Sequence, residues 1–573
     1  MKSRFRAFST ALTALAVFLG LAVLPPAAGA AVPGPAAGDP VGTTAAEEVV
    51  AAMQPGWNLG NTLDATGEDE TSWGNPRVTR EQLRSIRAQG FESIRIPVTW
   101  SRHQGPAPSY TIDPAYLERV EEVVGWALDE GFHVLINVHH DSWQWVHHLP
   151  TQYDTVLARY TATWTQIAET FRDAPPELLF ESINEPFFEG SSGEAQDAEL
   201  LHELNSTFHT LVRGSGGDNA TRLLVLSTLH ASPEQARMDE LLDTFSVLDD
   251  PHLVATVHFY GYWPFSVNVA GHTRFDAATQ QDLVDTFDRV HDTFVAEGIP
   301  VIIGEYGLLG FDRNTDTIQQ GEKLKFFEYL GNYAREKQLT TMLWDNGQHF
   351  NRTALRWNDP SLYRQIKSSW TVPSSTASSD QIFVRRSGTP SDATLTLNLN
   401  GNRLTSLVNG SERLVRGRDY TVRGDRLTLT AATLARLTAS QEYGVNAVLS
   451  ARFSRGVPWD IHVLTHETPV LEGATGTTDS LVIPTAFRGD QLATMEAVYA
   501  DGTNAGPHDW TSYKEFGAAF APDYAAGEIT LPSAFFQNIR DNDPVTLTFH
   551  FWSGETVTYT LTRTGTTVTG IPG

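Results

Sequence analysis

The sequence predicts a (β/α)8 TIM barrel followed by two small all-β sandwich modules, on three observations. Between Glu47 and Val372, short apolar strand-like runs alternate eight times with helical patterns, the signature of βα units around a parallel sheet. Most of those runs end in polar side chains, and a barrel carries its chemistry at the C-terminal ends of its strands. Beyond Val372 a Ser/Thr-rich stretch gives way to period-2 patterning with turn signals, which is β structure. A doubly wound open sheet is the alternative for the first region; eight units favour closure.

The chain has 573 residues, enough for two to four domains. Lys2, Arg4 and Arg6, an apolar run from Ala11 to Leu24, and Ala28-Gly29-Ala30 read as a secretory signal peptide over residues 1–30. Residues 31–46 follow as a Pro-, Gly- and Ala-rich linker. The leader is short for a membrane span and no later stretch is long and apolar enough, so the expected product is secreted, extracellular and not membrane-bound. Cysteine is absent, which removes disulfides and thiolate metal sites from consideration. Loss of the three basic leader residues takes the formal charge from −27 to −30, which argues against nucleic acid and anionic membranes as partners. A monomer is expected.

In order along the chain, the strands are expected at 56–61, 93–100, 134–141, 178–186, 222–228, 253–260, 300–307 and 340–347, within a catalytic domain spanning 47–372. Between them, Pro114–Glu130 reads as a helix with Leu117, Val120, Val124 and Leu128 on one face, Asp113-Pro114 at its start and Gly131 at its end. A last helix from Asp359-Pro360 carries Leu362, Ile366 and Trp370 onto the barrel. Residues 371–380 read as a linker. In 381–466, a small β-sandwich, Leu395, Leu397 and Leu399 alternate with polar residues, and Tyr420–Leu429 forms a hairpin whose Arg423-Gly424-Asp425 is a turn. In 470–566, a second β-sandwich module, Leu547, Phe549 and Phe551 share one strand face and Trp552 lies on the other. Trp552, Trp510 and Tyr513 are candidate stacking platforms there, because flat rings pack on the C–H faces of neutral sugars.

The strand ends carry Asn61, Arg95, His139 with His140, Asn184 with Glu185, His258 with Tyr260, Glu305 and Trp344. The stretch Phe-Glu-Ser-Ile-Asn-Glu-Pro (180–186) presents an amide and an acid where Pro186 stops the strand, and Pro-Val-Ile-Ile-Gly-Glu-Tyr-Gly (300–307) presents a second acid. Two facing carboxylates are the minimum apparatus for glycoside hydrolysis. Asn61, His140, Trp73, Trp143, Trp145, Trp263 and Asp345 are further candidates for flanking positions, with core packing or loop structure as the competing role for each.

The motifs Gly-Trp-Asn-Leu-Gly-Asn-Thr-Leu-Asp-Ala (56–65), Trp-Gly-Asn-Pro (73–76), Ile-Arg-Ile-Pro-Val-Thr-Trp (94–100), Asn-Val-His-His (137–140), Asn-Glu-Pro, His-Phe-Tyr (258–260), Gly-Glu-Tyr-Gly and Leu-Trp-Asp-Asn-Gly (343–347) resemble glycoside hydrolase family 5. The resemblance covers about 47–372 and is strongest to bacterial endo-β-1,4-glucanases, the branch that includes xyloglucan and mixed-linkage glucan hydrolases. Residues 381–466 resemble the immunoglobulin-like modules often attached to these enzymes, and residues 470–566 resemble carbohydrate-binding module family 46. The resemblance implies a cofactor-free hydrolase of cellulose or a related β-glucan, with Glu185 as acid/base and Glu305 as nucleophile, about 5–5.5 Å apart in a retaining enzyme. It implies that Arg95 holds Glu305 as the anion and that Glu185 has a raised pKa. By the same likeness Tyr260 donates to Glu305, Asn184 binds the sugar 2-hydroxyl, His139 and His258 complete the hydrogen bonding, and Trp344 lies beneath the reacting sugar. The last module can help to form the substrate site.

Other readings remain. Xyloglucanase, mixed-linkage glucanase and mannanase activities fit the same apparatus. A metal-dependent hydrolase using His139, His140, Asp141 and His258 is disfavoured by the adjacency of two strand histidines, which should point to opposite faces. A non-catalytic polysaccharide-binding protein is the alternative from a different class.

Overall fold

The computed structural model describes residues 45–573; the expected leader and residues 31–44 of the expected linker lie outside the described residues. The first described element is the helix Ala45–Ala52, which starts two residues before Glu47. The barrel is closed and its eight parallel strands run in sequence order: β1 (Gly56–Asn58), β2 (Ser93–Ile96), β3 (His133–Asn137), β4 (Leu178–Glu181), β5 (Leu224–Ser227), β6 (Leu253–Phe259), β7 (Val301–Tyr306) and β8 (Thr340–Leu343). Regular pairing stops a few residues short of most of the sequence-based ends, because the polar tails turn into the cleft. Single backbone bonds extend the staircase there: His139 donates to Val98 O at 2.8 Å and Asn184 to Val138 O at 2.9 Å.

Period-2 alternation sorts each strand into an outer row packed on helices and an inner row filling the barrel. The inner row is apolar at the bottom, where Leu135, Leu179, Val225, Val254, Ile302 and Met342 form one cluster with Ala46, Val50 and Met53 of the N-terminal segment. That segment therefore plugs the barrel floor. One step up the same row stand Asn58, Arg95, Asn137 and Glu181, all completely buried. The helix Pro114–Asp129 buries Val120, Val123, Val124 and Ala127 against the strands, while Leu117 and Leu128 lie at the edge of its buried face. Asp113 caps it by accepting from Ala115 N at 2.9 Å.

Gly304 is the extra residue of a β-bulge between β6 and β7: Val257 pairs with Ile303, and the next pair is His258 with Glu305. Ile302 faces inward, and the bulge returns Glu305 to the inner face three positions later, where strict alternation would turn it outward. A Cβ on Gly304 would lie 2.7 Å from Thr256 Oγ1 and 3.1 Å from His258 Nε2, so the close approach requires glycine.

Residues 371–380 are not a loose tether. Ser374, Ser375, Thr376 and Ala377 are buried, Thr376–Ala377 pairs with Ala393–Asn398, and Asp380 accepts from Gln319 Nε2 at 2.8 Å. The second module is a sandwich of a four-stranded and a five-stranded sheet. Its hairpin pairs Tyr420 with Leu429 and Arg423 with Arg426 across the Gly424-Asp425 turn, as the pattern requires. The third module is all-β, as expected. Its nine strands form one continuous sheet, which folds over a single core containing Leu481, Met495, Ile529, Leu547, Phe549 and Tyr559. This module docks on the segment after β6: Asn268 Nδ2 donates to Ala493 O at 3.0 Å, and Phe516 N donates to Asn268 O at 3.1 Å.

Candidate active site

Arg95 organises the floor of the cleft. Its guanidinium, 0% exposed, donates to Glu181 Oε2 at 2.7 Å and Oε1 at 3.1 Å, to Glu305 Oε1 at 2.7 Å, to Asn184 Oδ1 at 2.7 Å and to Asn58 Oδ1 at 3.0 Å. Burial works against its charge, and the two carboxylates outweigh burial and hold it protonated. The planar fork can serve all these acceptors at once, a geometry lysine cannot reproduce. Glu181, Asn58 and Asn137 were missed as site residues. The signal was present, since polar groups inside otherwise apolar strands recur on the inner row.

Glu305, 5% exposed, also accepts from Tyr260 Oη at 2.6 Å. Burial, with the charges of Glu305 and Asp312, raises the Tyr260 pKa well above its ordinary value, so this phenol keeps its proton and donates it. His139 is held neutral, its pKa pushed down first by burial and then by the charges of His140, Arg95 and His258. Asn137 Oδ1 accepts from Val98 N, which fixes the amide; its Nδ2 therefore donates to His139 Nδ1 at 3.0 Å. The His139 proton then sits on Nε2, which faces Glu305 Oε1 at 4.0 Å.

Glu185 stands across from Glu305. It has φ 41°, a left-handed backbone that a non-glycine residue adopts at a cost, and its side chain is 45% exposed to the open cleft. His258 Nδ1 lies 2.8 Å from Glu185 Oε1 and 3.6 Å from Glu305 Oε2. One carboxylate oxygen of each glutamate and a His258 nitrogen all lie within 4.8 Å of one another. Burial is the largest influence on Glu185 and raises its pKa, but the hydrogen bond and charge of His258, joined by Arg95 and His140, bring the net shift downward. His258 moves the opposite way: burial lowers its pKa, and the charges of Glu305 and Glu185 carry it above its ordinary value. The expectation of a simply raised Glu185 is therefore corrected, because the acid shares its proton with His258.

Trp344 stacks on His139, with ring planes 8° apart and centroids at 6.0 Å, and its edge packs against Gly60. Asn61 sits three residues beyond β1 with φ 54°, its backbone tied to Asp64 and Asn75. His139 and His140 both enter the cleft, with rings 4.4 Å apart, because β3 ends at Asn137 and alternation no longer governs them. The argument from opposite strand faces thus fails at this position. Trp73 and Trp143 flank His140 at 5.1 and 5.4 Å and form an aromatic wall.

Two other candidates are structural. Trp145 donates to Asp141 Oδ1 and packs under Arg159, while Asp345, fully buried, receives Trp57 Nε1 and the backbone N–H groups of Gly347, His349 and Phe350. Across the barrel, Trp263 (43% exposed) lies 6.3 Å from Trp510 (58% exposed) of the third module. Tyr513 packs on Gly271, and Trp552 is half-buried beneath the Arg274 guanidinium at 4.8 Å. Of the three expected platforms, Trp510 alone keeps a largely exposed ring.

The comparisons agree with this arrangement. The pattern described as cellulase (glycosyl hydrolase family 5) matches residues 60–350, carbohydrate binding domain X2 matches 376–463, and the carbohydrate binding domain CBM46 matches 467–571. Endoglucanase B of Paenibacillus lautus is 58% identical over 530 residues, covering 92% of this chain and 94% of that protein. The tri-modular endo-β-1,4-glucanase B of Bacillus halodurans superposes with a TM-score of 0.91 at 51% identity, covering 93% of this chain and all of that one. A tri-modular family 5 (subfamily 4) endo-β-1,4-glucanase of Bacillus licheniformis, solved with cellotetraose, superposes with a TM-score of 0.77 at 33% identity over 92% of this chain and 99% of that one. The chain belongs to glycosyl hydrolase family 5, a glycoside hydrolase whose catalytic barrel is followed by an X2 and a CBM46 carbohydrate-binding domain.

Proposed function

We propose that the protein is a secreted, retaining endo-β-1,4-glucanase that cleaves internal bonds of cellulose or a related β-glucan by double displacement. The observation that carries this reading is the pair Glu185 and Glu305, with carboxylate oxygens within 4.8 Å and unlike surroundings. A retaining pair lies about 5–5.5 Å apart, whereas an inverting pair needs about 6.5–9.5 Å to admit water. Glu305, held by Arg95 and Tyr260, attacks the anomeric carbon while Glu185 delivers the proton it shares with His258 to the leaving oxygen. Water then attacks the glycosyl-enzyme, with Glu185 as base.

Arg95 occupies the Asn184 oxygen, which leaves the Asn184 N–H groups for the sugar 2-hydroxyl, where a hydrogen bond strengthens in the transition state. His139 offers Nε2–H on the same side. Trp344 supplies a flat face for the reacting sugar, and Trp73 with Trp143 on one rim and Trp263 with Trp510 on the other extend the cleft for a polymer. The third module then acts as part of the cleft wall. Release of reducing ends from carboxymethylcellulose, barley β-glucan, xyloglucan and galactomannan, by the mature protein beside Glu185→Gln and Glu305→Ala, tests the proposal. Activity on a β-glucan that collapses in both variants supports it; an inactive wild type or active variants overturn it.

A further inference from the structure

We propose that His147, His148 and Glu189 form a binding site for a divalent transition-metal ion, zinc by ligand chemistry, where the segments following β3 and β4 meet. The site is separate from the two glutamates. Its Glu189 lies four residues after Glu185 in sequence, and the site uses none of the groups assigned to hydrolysis.

The two histidines occupy consecutive positions of the short 3-10 turn Val146–His148, and their ring centroids are 3.8 Å apart. Glu189 is brought to them by its own backbone, whose N–H donates to His147 O at 2.8 Å. Its Oε2 lies 3.8 Å from His147 Nε2 and 3.9 Å from His148 Nδ1, and the three ligand atoms all lie within 4.8 Å of one another. These distances are too long for hydrogen bonds. They are close to the spacing of donors that share one ion: ligands at about 2.0–2.2 Å in a tetrahedron are separated by roughly 3.4 Å. Small side-chain rotations close the difference, and the Glu189 side chain is 69% exposed, so it has room to move.

A second observation points the same way. His147 is 8% exposed, its ring packs against Phe187 with planes 21° apart, and its Nδ1 is buried without a hydrogen-bond partner. Nε2, the nitrogen turned toward Glu189, lies 3.8 Å from its nearest carboxylate oxygen, beyond hydrogen-bond reach. A metal at Nε2 would give this largely buried imidazole nitrogen the partner it lacks. Two imidazoles and one carboxylate, with no thiolate anywhere in the chain, suit zinc with a coordination position left for water.

The test is titration of the untagged mature protein with zinc chloride by calorimetry, beside cobalt(II) absorption in the visible range. The comparison variant is His148→Ala with Glu189→Gln, two partly exposed positions, checked for folding by circular dichroism. The wild type is expected to bind one equivalent whose affinity falls at least about tenfold in the variant, together with loss of the cobalt band. Absence of zinc binding by the wild type, or undiminished binding by the folded variant, overturns the proposal.

Discussion

Glu328 offers a test of how the barrel is coupled to the module behind it. It is 2% exposed, sits on the helix Gln320–Glu336, and faces the start of the second module. Its Oε1 accepts from Ser374 N at 2.8 Å and Asn332 Nδ2 at 2.5 Å, while Oε2 has only a 3.4 Å contact with Asn400 Nδ2. Burial is the dominant influence, these hydrogen bonds oppose it, and the pKa is pushed up from 4.5 to about 7. A group raised in the folded state holds its proton longer there than in the opened state. Its contribution is therefore complete below about pH 4.5 and is lost as the pH rises through about 7. A rise of about 2.5 units corresponds to about 3 kcal/mol.

Glu328→Gln keeps an acceptor at the Oε1 position and places an uncharged amide where the neutral acid carries its proton. Hydrogen exchange of the peptide spanning 371–380, corrected for intrinsic rates, reads the junction directly. Wild-type protection is expected to fall by up to about a hundredfold between pH 4.5 and 8, and that of Glu328→Gln to stay level. A level wild-type profile, or an equal fall in the variant, would refute the reasoning.

Two further expectations concern the cleft. The alkaline limb of kcat/KM reports loss of the proton shared by His258 and Glu185, and because His258 is raised it should lie above 6.5. In His258→Asn the limb then belongs to Glu185 alone and moves to lower pH; an unchanged limb contradicts the shared proton. Trp510→Ala and Trp263→Ala should each lower kcat/KM on polymeric β-glucan several-fold, by about 1 kcal/mol for a lost stacking contact, and affect cellotetraose less. Their 6.3 Å separation predicts a non-additive double variant, and strict additivity would place the rings in independent sites.

The barrel was legible because each strand is an apolar run between helical stretches, and the two glutamates because each follows such a run. What stayed hidden depends on contacts remote in sequence. Glu181 looks like any strand residue until Arg95, 86 positions away, is placed against it. Trp145, Trp552 and Asp345 have the composition of sugar contacts, yet Arg159, Arg274 and Trp57 engage them. The bulge at Gly304 was invisible to alternation, and it is what turns Glu305 into the cleft. Ser374–Ala377 carries the composition of a tether, but its backbone finds partners in the second module and on Glu328.

Double displacement requires a covalent glycosyl intermediate on Glu305. Treating the mature protein with a 2-deoxy-2-fluoro cellobioside that bears a good leaving group slows turnover of the glycosyl-enzyme, and peptide mass mapping locates the attached sugar. One 2-fluorocellobiosyl adduct is expected, on Glu305 in Gly-Glu-Tyr-Gly, with hydrolysis lost in step with labelling. An adduct on any other residue, or none while the enzyme remains active on β-glucan, would contradict it.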